Sequence, residues 1–259
     1  MRADEALELR GVTKLYSGIP AVNNVSFIAA GGEVTAYLGP NGSGKSTTLK
    51  IITGLLEPTE GSVLFRGKSI QQDRVGHKQQ VGYVPEEAQV YPHLTAFEYL
   101  EMVGGLRGLA GSRIKEKTNA FLRLFSLERD SHSPISSYSK GMRQKVVLAA
   151  ALLHNPHLVV LDEPFSGLDI SSALIVTDLI RELAARGKVV LFSAHELDIV
   201  ERVSSRVVIL HKGSVVANNR IDELRSLLSL PSLKDIFSQL VVEQDTRSVA
   251  RELVAAMEL

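Results

Sequence analysis

The chain has 259 residues, 44% of them hydrophobic and 22% charged, which is enough for one large domain with a subsidiary lobe around an ordinary globular core. Its 29 Lys and Arg balance 29 Asp and Glu, which excludes a global basic field for nucleic acid or anionic lipid. With no cysteine, disulfides, thiolate metal sites and cysteine nucleophiles are excluded as well.

The opening residues, MRADEALELR, contain no apolar run of signal-peptide character. The longest such run, VVLAAALL at Val146–Leu153, falls far short of the roughly 20 residues a membrane helix needs. A role at a membrane would therefore be that of a peripheral subunit.

In chain order, Leu7–Tyr16 and Asn24–Ala29 alternate as strands, and Gly31-Gly32 turns between strands. GEVTAYLG predicts a buried strand that runs into a Gly-rich loop, followed by a helix from Lys45 to Leu55. Gly61–Arg66 and Val81–Val84 predict further short strands, and the stretch from about Leu94 to Leu153 is helical throughout. Strand and helix then alternate: LVVLD, Ser171–Arg186, KVVLFSA, Glu196–Val203, RVVIL and GSVVAN. Such alternation implies a parallel sheet covered on both faces. IDELRSLL, SLKDIFSQLVV and TRSVARELVAAMEL predict short amphipathic helices at the C-terminal end.

GPNGSGKST, Gly39–Thr47, fits G-x-x-x-x-G-K-[ST] and stands between a predicted strand and a predicted helix, the context this motif requires. Backbone N–H groups of Gly39, Pro40 to Gly44 and the helix start (Asn41, Gly42 and Ser43 among them; Pro40 lends only its fixed turn) would wrap a phosphate. Lys45 would reach the β- and γ-phosphates, and the Ser46 hydroxyl would ligate Mg²⁺. LVVLDEP ends a buried strand in Asp162-Glu163, delivering two carboxylates to the C-terminal sheet edge, where α/β proteins bind ligands. Successive strand side chains diverge, so the roles differ: Asp162 suits the Mg²⁺ site and Glu163 suits polarising a water for attack on the γ-phosphate.

GPNGSGKST, YSKGMRQ, LVVLDEP, SGLD and a lone His after VVLFSA, in this order from about residue 5 to 240, resemble the ATP-binding subunits of ABC transporters. The resemblance implies an α/β P-loop NTPase core with a mostly parallel sheet, an N-terminal antiparallel β region and an inserted α-helical subdomain. It divides the chain into a core at 1–87 and 154–220, a helical subdomain at 88–153 and a C-terminal helical extension at 221–259. LEPTEGSVLFRGK looks like the family's β-hairpin segment.

Position by position, the resemblance implies further roles. Tyr16 would stack on adenine, the alternative being an edge-strand core tyrosine. His195 matches the switch histidine that contacts the γ-phosphate, whereas His77, His93, His132, His154, His157 and His211 are structural or surface residues. Asp169 matches the aspartate that bridges two subunits near the nucleotide, and it is equally a helix N-cap.

After VGYVP the family most often has glutamine at a position that touches Mg²⁺. Here stands Glu86, which accepts but cannot donate a hydrogen bond at neutral pH. This Glu, with the aromatic-Ser-x-Gly-Met signature, resembles the exporter branch (multidrug, lipid and polysaccharide types) rather than the binding-protein-dependent importers.

One P-loop and one signature imply half of a machine. Ser139 and Gly141, at a turn opening a helix, form a second anion site that in the family closes onto the ATP of another subunit. The implied assembly is a homodimer, or a heterodimer with a related ATP-binding subunit, around two ATP molecules. A transmembrane permease subunit would dock between core and helical lobe at EAQVYPHLTAFEYL, unless that loop only packs on its own lobe. The expected location is cytoplasmic, peripheral on the inner face of the cell membrane, without nucleic acid as partner. The alternative is a soluble ATPase of the same type acting on nucleic acid or ribosomes. Lys140, where the family commonly has glycine, would lean toward the partner's γ-phosphate or face solvent.

Overall fold

The computed structural model describes residues 6–241 and 256–257. β1 (Ala6–Tyr16) and β2 (Ile19–Ala30) form a long antiparallel hairpin. The second strand begins earlier than its alternation suggests, because the turn at Ser17-Gly18 is short and both residues take positive φ. β4 (Glu60–Phe65) pairs on the other side of β1, and β5 (Lys68–Ser69) closes a small hairpin, giving a four-stranded antiparallel sheet.

The second sheet has six strands, in the order β10, β9, β3, β8, β7, β6. Its members are β3 (Val34–Leu38), β6 (Val81–Val84), β7 (Leu158–Leu161), β8 (Val189–Ser193), β9 (Arg206–His211) and β10 (Ser214–Arg220). Five run parallel and β10 is antiparallel on the edge. β3, β7 and β8 are buried along their whole length, which explains their predominantly apolar sequences.

Alternate residues of these strands enter two different cores. Ala36, Leu38, Val159, Leu161, Val190 and Phe192 join the helices, while Tyr37, Leu158, Val160, Val189 and Leu191 join the antiparallel sheet.

α1 (Lys45–Ile52) follows β3 through the Gly-rich loop. Its Leu49, Ile51 and Ile52 are fully buried, each contributing about 1.5–3 kcal/mol, so the N-terminus of this helix is held against a packed core. It ends at Ile52, sooner than expected, because Gly54 turns the chain at φ 71°.

α2 (Arg74–Gln80) was not expected from the sequence. RVGHKQQ has no apolar period, and its signal is the cap: Asp73 accepts from the Gly76 N–H at 2.8 Å.

The helical region holds α3 (Ala96–Leu106), α4 (Gly111–Leu124), a single 3₁₀ turn at Ile135–Ser137 and α5 (Lys140–Leu152). Thr95 and Glu98 cap α3 reciprocally. Gly104 lets α4 approach closely, since a Cβ there would lie 2.9 Å from Ile114 Cγ1. Its apolar side chains (Leu100, Leu122, Val146 and Leu148) continue into the core above the main sheet without a break.

α6 (Ile170–Ala185) and α7 (Leu197–Val203) complete the parallel units, and α8 (Ile221–Leu228) and α9 (Leu233–Val241) bury Leu224, Leu233 and Ile236 in the same core. Glu201 of α7 accepts from the Arg225 guanidinium of α8 and from the Leu233 N–H of α9. Apart from residues 256–257, the segment TRSVARELVAAMEL lies outside the described residues. No helix among the described residues is long and apolar enough to cross a membrane.

Candidate active site

β3 delivers the chain to a loop whose glycines cannot be replaced without strain. Gly39, Gly42 and Gly44 have φ of 156°, 78° and 99°, and a Cβ on Gly44 would collide with the Ala21 carbonyl. Lys45, the first residue of α1, is buried and donates to the Gly39 carbonyl at 2.7 Å and the Pro40 carbonyl at 3.2 Å. Burial pushes its ammonium below the usual lysine range, opposed by the carboxylates of Glu163, Asp162 and Glu86. Ser43 is buried with an unpartnered hydroxyl.

The acidic corner faces this loop. The Asp162 N–H donates to the Val84 carbonyl at 2.8 Å, which extends the β6–β7 pairing by one step and brings Glu86 of the following loop alongside. The Asp162 side chain is 2% exposed. Glu163 then takes a left-handed backbone conformation, φ 50°, uncommon for a non-glycine residue. Both carboxylates nevertheless line the same cleft.

Glu163 Oε1 lies 3.2 Å from His195 Nε2, with the Glu163 side chain 13% exposed and that of His195 52% exposed. Burial raises the pKa of the Glu163 carboxyl, His195 and Lys45 pull it back, and Asp162 and Glu86 push it further up. Sequence reasoning missed Ser193 at the end of β8. Its hydroxyl donates to Asp162 Oδ1 at 2.6 Å and accepts the Glu163 N–H at 2.9 Å.

Asn41, Gly42, Gly44, Lys45, Ser46, Thr47, Glu86, Asp162, Glu163 and His195 thus line one cleft of about 490 Å³, together with Ala21. Gly39 and Pro40 lie behind it as acceptors for Lys45. Another cleft of the same volume runs between β5 and α2, but its Asp73 is spent on a cap and its His77 on the Ile52 carbonyl.

The donor set suits a phosphate and a hard cation. Loop N–H groups, a helix start and a lysine face Ser46, Glu86 and Asp162, all oxygen donors of the kind Mg²⁺ takes. Among the described residues no three His, Asp or Glu cluster into an all-protein metal cage. A cation here would share its shell with phosphate oxygens.

Besides Gly39, Pro40 and the buried Ser43 of the loop itself, four expected site residues lie outside the lining of this cleft. Tyr16 is 49% exposed, with Lys14 Nζ 5.6 Å from its ring centroid, so it is not a core tyrosine. Asp169 caps α6, accepting from Ser172 N–H at 2.9 Å and from the Ser171 and Ser172 hydroxyls at 2.7 Å each. These bonds hold its carboxyl far below the usual range. Ser139 caps α5 through the Met142 N–H and is exposed, and a Cβ on Gly141 would lie 2.6 Å from the Gly167 carbonyl.

Lys140 is exposed, as the solvent-facing reading expects, but its side chain is tethered to its own chain. Its methylenes lie over Gly167 and its ammonium donates to Ser166 Oγ at 2.7 Å. Gln144, buried, adds a bond to the Pro164 carbonyl at 3.4 Å. YSKGMRQ is therefore bolted to the 163–169 loop of its own chain.

Residues 22–166 match the ABC transporter family. The ABC-type transporter ATP-binding protein EcsA of Bacillus subtilis (strain 168) is 34% identical over 239 residues, spanning 92% of this chain and 97% of that protein. The chain belongs to the ABC transporter family.

The Nod factor export ATP-binding protein I of Bradyrhizobium diazoefficiens (strain JCM 10833 / BCRC 13528 / IAM 13628 / NBRC 14792 / USDA 110) is 33% identical over 219 residues, covering 85% of this chain and 72% of that one. Among solved structures, an ATP-binding subunit of an ABC transporter superposes with a TM-score of 0.85 at 35% identity, covering 90% of this chain and 98% of the other. A dimeric post-hydrolysis state of the ATP-binding cassette MJ0796, bound to ADP and Pi, gives 0.77 at 28% identity, covering 83% and 98%. This ABC cassette is accordingly an ATP-binding ATPase subunit of a transporter.

Proposed function

We propose that the chain energises export through a separate transmembrane permease, working as a pair of cassettes on the inner face of the cell membrane. The observation that carries this reading is the single cleft where the Gly39–Thr47 loop faces Asp162, Glu163 and His195. Export is supported by Glu86 and the YSKGM signature, and by the likeness to a Nod factor export protein.

In the proposed reaction, loop N–H groups and Lys45 hold the β- and γ-phosphates of ATP. Ser46, Asp162 and Glu86 would hold Mg²⁺, which would supply positive charge to neutralise that developing on the phosphate oxygens. Glu163 accepts the proton of the attacking water, and burial equips it for this by raising its basicity. His195 stays within 3.2 Å of that carboxylate and faces the cleft, placed to donate toward the γ-phosphate.

The signature of the partner cassette, Ser139 and Gly141 at the start of α5, would close the site from the other side. Tyr16 would stack on the adenine and Asp169 would lie near the seam between cassettes. ATP favours the closed pair, and hydrolysis releases it.

Two experiments test this. Glu163→Gln should bind ATP normally, lose about 100- to 10,000-fold in phosphate release and yield an ATP-stabilised dimer by light scattering. Near-normal hydrolysis would reject Glu163 as the base. Affinity purification from a membrane extract should recover a polytopic membrane protein, whereas recovery with ribosomal RNA or DNA would overturn the transport reading.

A further inference from the structure

We propose that Ser193 is a positioning residue for hydrolysis, one whose hydroxyl fixes the Glu163 carboxylate through the Glu163 backbone. The inference rests on the reading of Glu163 as the proton acceptor. Register explains how Ser193 comes to this place. Leu161 of β7 pairs with Phe192 of β8, so the next step sets Asp162 beside Ser193 just where the ladder ends. From there the two strands part, one into the Glu163 corner and the other into the His195 loop.

A serine hydroxyl has one proton and two lone pairs, and this one uses both kinds of capacity. Its proton goes to Asp162 Oδ1 at 2.6 Å, which leaves an oxygen lone pair for the Glu163 N–H at 2.9 Å. Ser193 is 0% exposed, so no water takes over either bond when the hydroxyl is removed. The Glu163 N–H belongs to a residue at φ 50°, a conformation that persists only where the surroundings impose it. The hydroxyl is the only partner found for that N–H among the described residues. Without it the corner relaxes toward ordinary φ and swings the carboxylate off the line of attack.

Ser193→Ala deletes the bond without adding bulk. In the purified chain, or in its complex with the membrane partner, turnover at saturating ATP should fall about 10- to 100-fold, the usual cost of losing a support behind a metal or catalytic carboxylate. The KM for ATP should stay within about twofold, since the Gly39–Thr47 loop is untouched. Ser193→Thr, which restores the hydroxyl, should recover most of the rate. Because Ser193 acts through Glu163, Ser193→Ala in a Glu163→Gln background should add no further loss.

Wild-type turnover in Ser193→Ala, a parallel loss of kcat and ATP affinity that Thr does not rescue, or additive losses in the double variant would each overturn the inference. Glu163→Gln alone, run beside these, separates the two levels. If it hydrolyses ATP normally the base assignment has failed; if it is inactive while Ser193→Ala is normal, only Ser193's role has failed. Should Ser193→Ala not fold, Ser193→Thr and Ser193→Val have the same shape. Thr at least tenfold faster supports the hydroxyl, and equal rates overturn it.

Discussion

The acidic corner and the signature turn solve opposite problems with similar parts. At the corner, Asp162 and Ser193 are buried, and the 2.6 Å and 2.9 Å bonds of Ser193 stay within the chain. At the signature, Ser139 and Lys140 are exposed at a helix start, and the anchoring bonds run backward, from Gln144 to Pro164 and from Lys140 to Ser166. The first arrangement sets a geometry for the chain's own cleft. The second anchors a helix terminus from behind while Ser139 and Lys140 stay exposed in front, as a surface meant for another molecule would require.

Complementation separates the roles of the two regions with the largest effect. Lys45→Ala should weaken ATP binding about 10- to 100-fold, the equivalent of roughly 1.5–3 kcal/mol for a bond between charged groups, measured by nucleotide titration. Ser139→Arg should keep ATP binding in its own cleft but hydrolyse nothing. Mixed, the two should regain at most one composite site per dimer. Normal hydrolysis by Ser139→Arg alone would show that the signature has no task on a second chain.

A smaller effect is expected at the joint between the two regions. Asp169→Ala removes the α6 cap and should cost about 1 kcal/mol, a fall in Tm of about 2–4 °C by calorimetry. Lys140→Met keeps the methylenes over Gly167 and removes only the ammonium. ATP-driven dimerisation should stay within about twofold, as for loss of one exposed hydrogen bond. A tenfold weakening would instead place the ammonium on the partner's phosphate.

The mildest test lies behind the cleft. His154 Nε2 donates to the Val81 carbonyl at 3.0 Å, and burial, with Arg107, Lys117 and Lys188 adding to it, lowers its pKa to about 4. The unfolded chain therefore binds more protons between pH 6.5 and 4, and stability falls as pH drops through that window. His154→Gln should flatten the fall in Tm over this range. An unchanged slope would remove His154 from the account.

Much of this was legible in the sequence because buried parallel strands read as predominantly apolar runs and the phosphate loop is a local motif. LVVL and VVLFS could be little else once GPNGSGKST stood beside them. What escaped notice depended on distance along the chain or on brevity. α2 has a cap but no apolar period, and β5 is two residues long. Ser193 looks like any strand serine until register sets it beside Asp162, 31 residues away. Lys140 meets Ser166 across 26 residues, a contact that no helix or strand period encodes. Tyr16, an adenine platform by resemblance, sits on the surface at the end of a hairpin and outside the cleft lining.

The two cores on either side of the parallel sheet give the site a form of error protection. Adjacent residues of β7 belong to different cores, Val160 to one and Leu161 to the other. Inserting or deleting one residue before Asp162 would shift its phase relative to Ser193. It would also send each apolar side chain of β7 to the opposite face. A frame slip in the chemistry is therefore punished first as a folding defect. Selection for a well-packed sheet keeps the catalytic address correct without any reference to ATP.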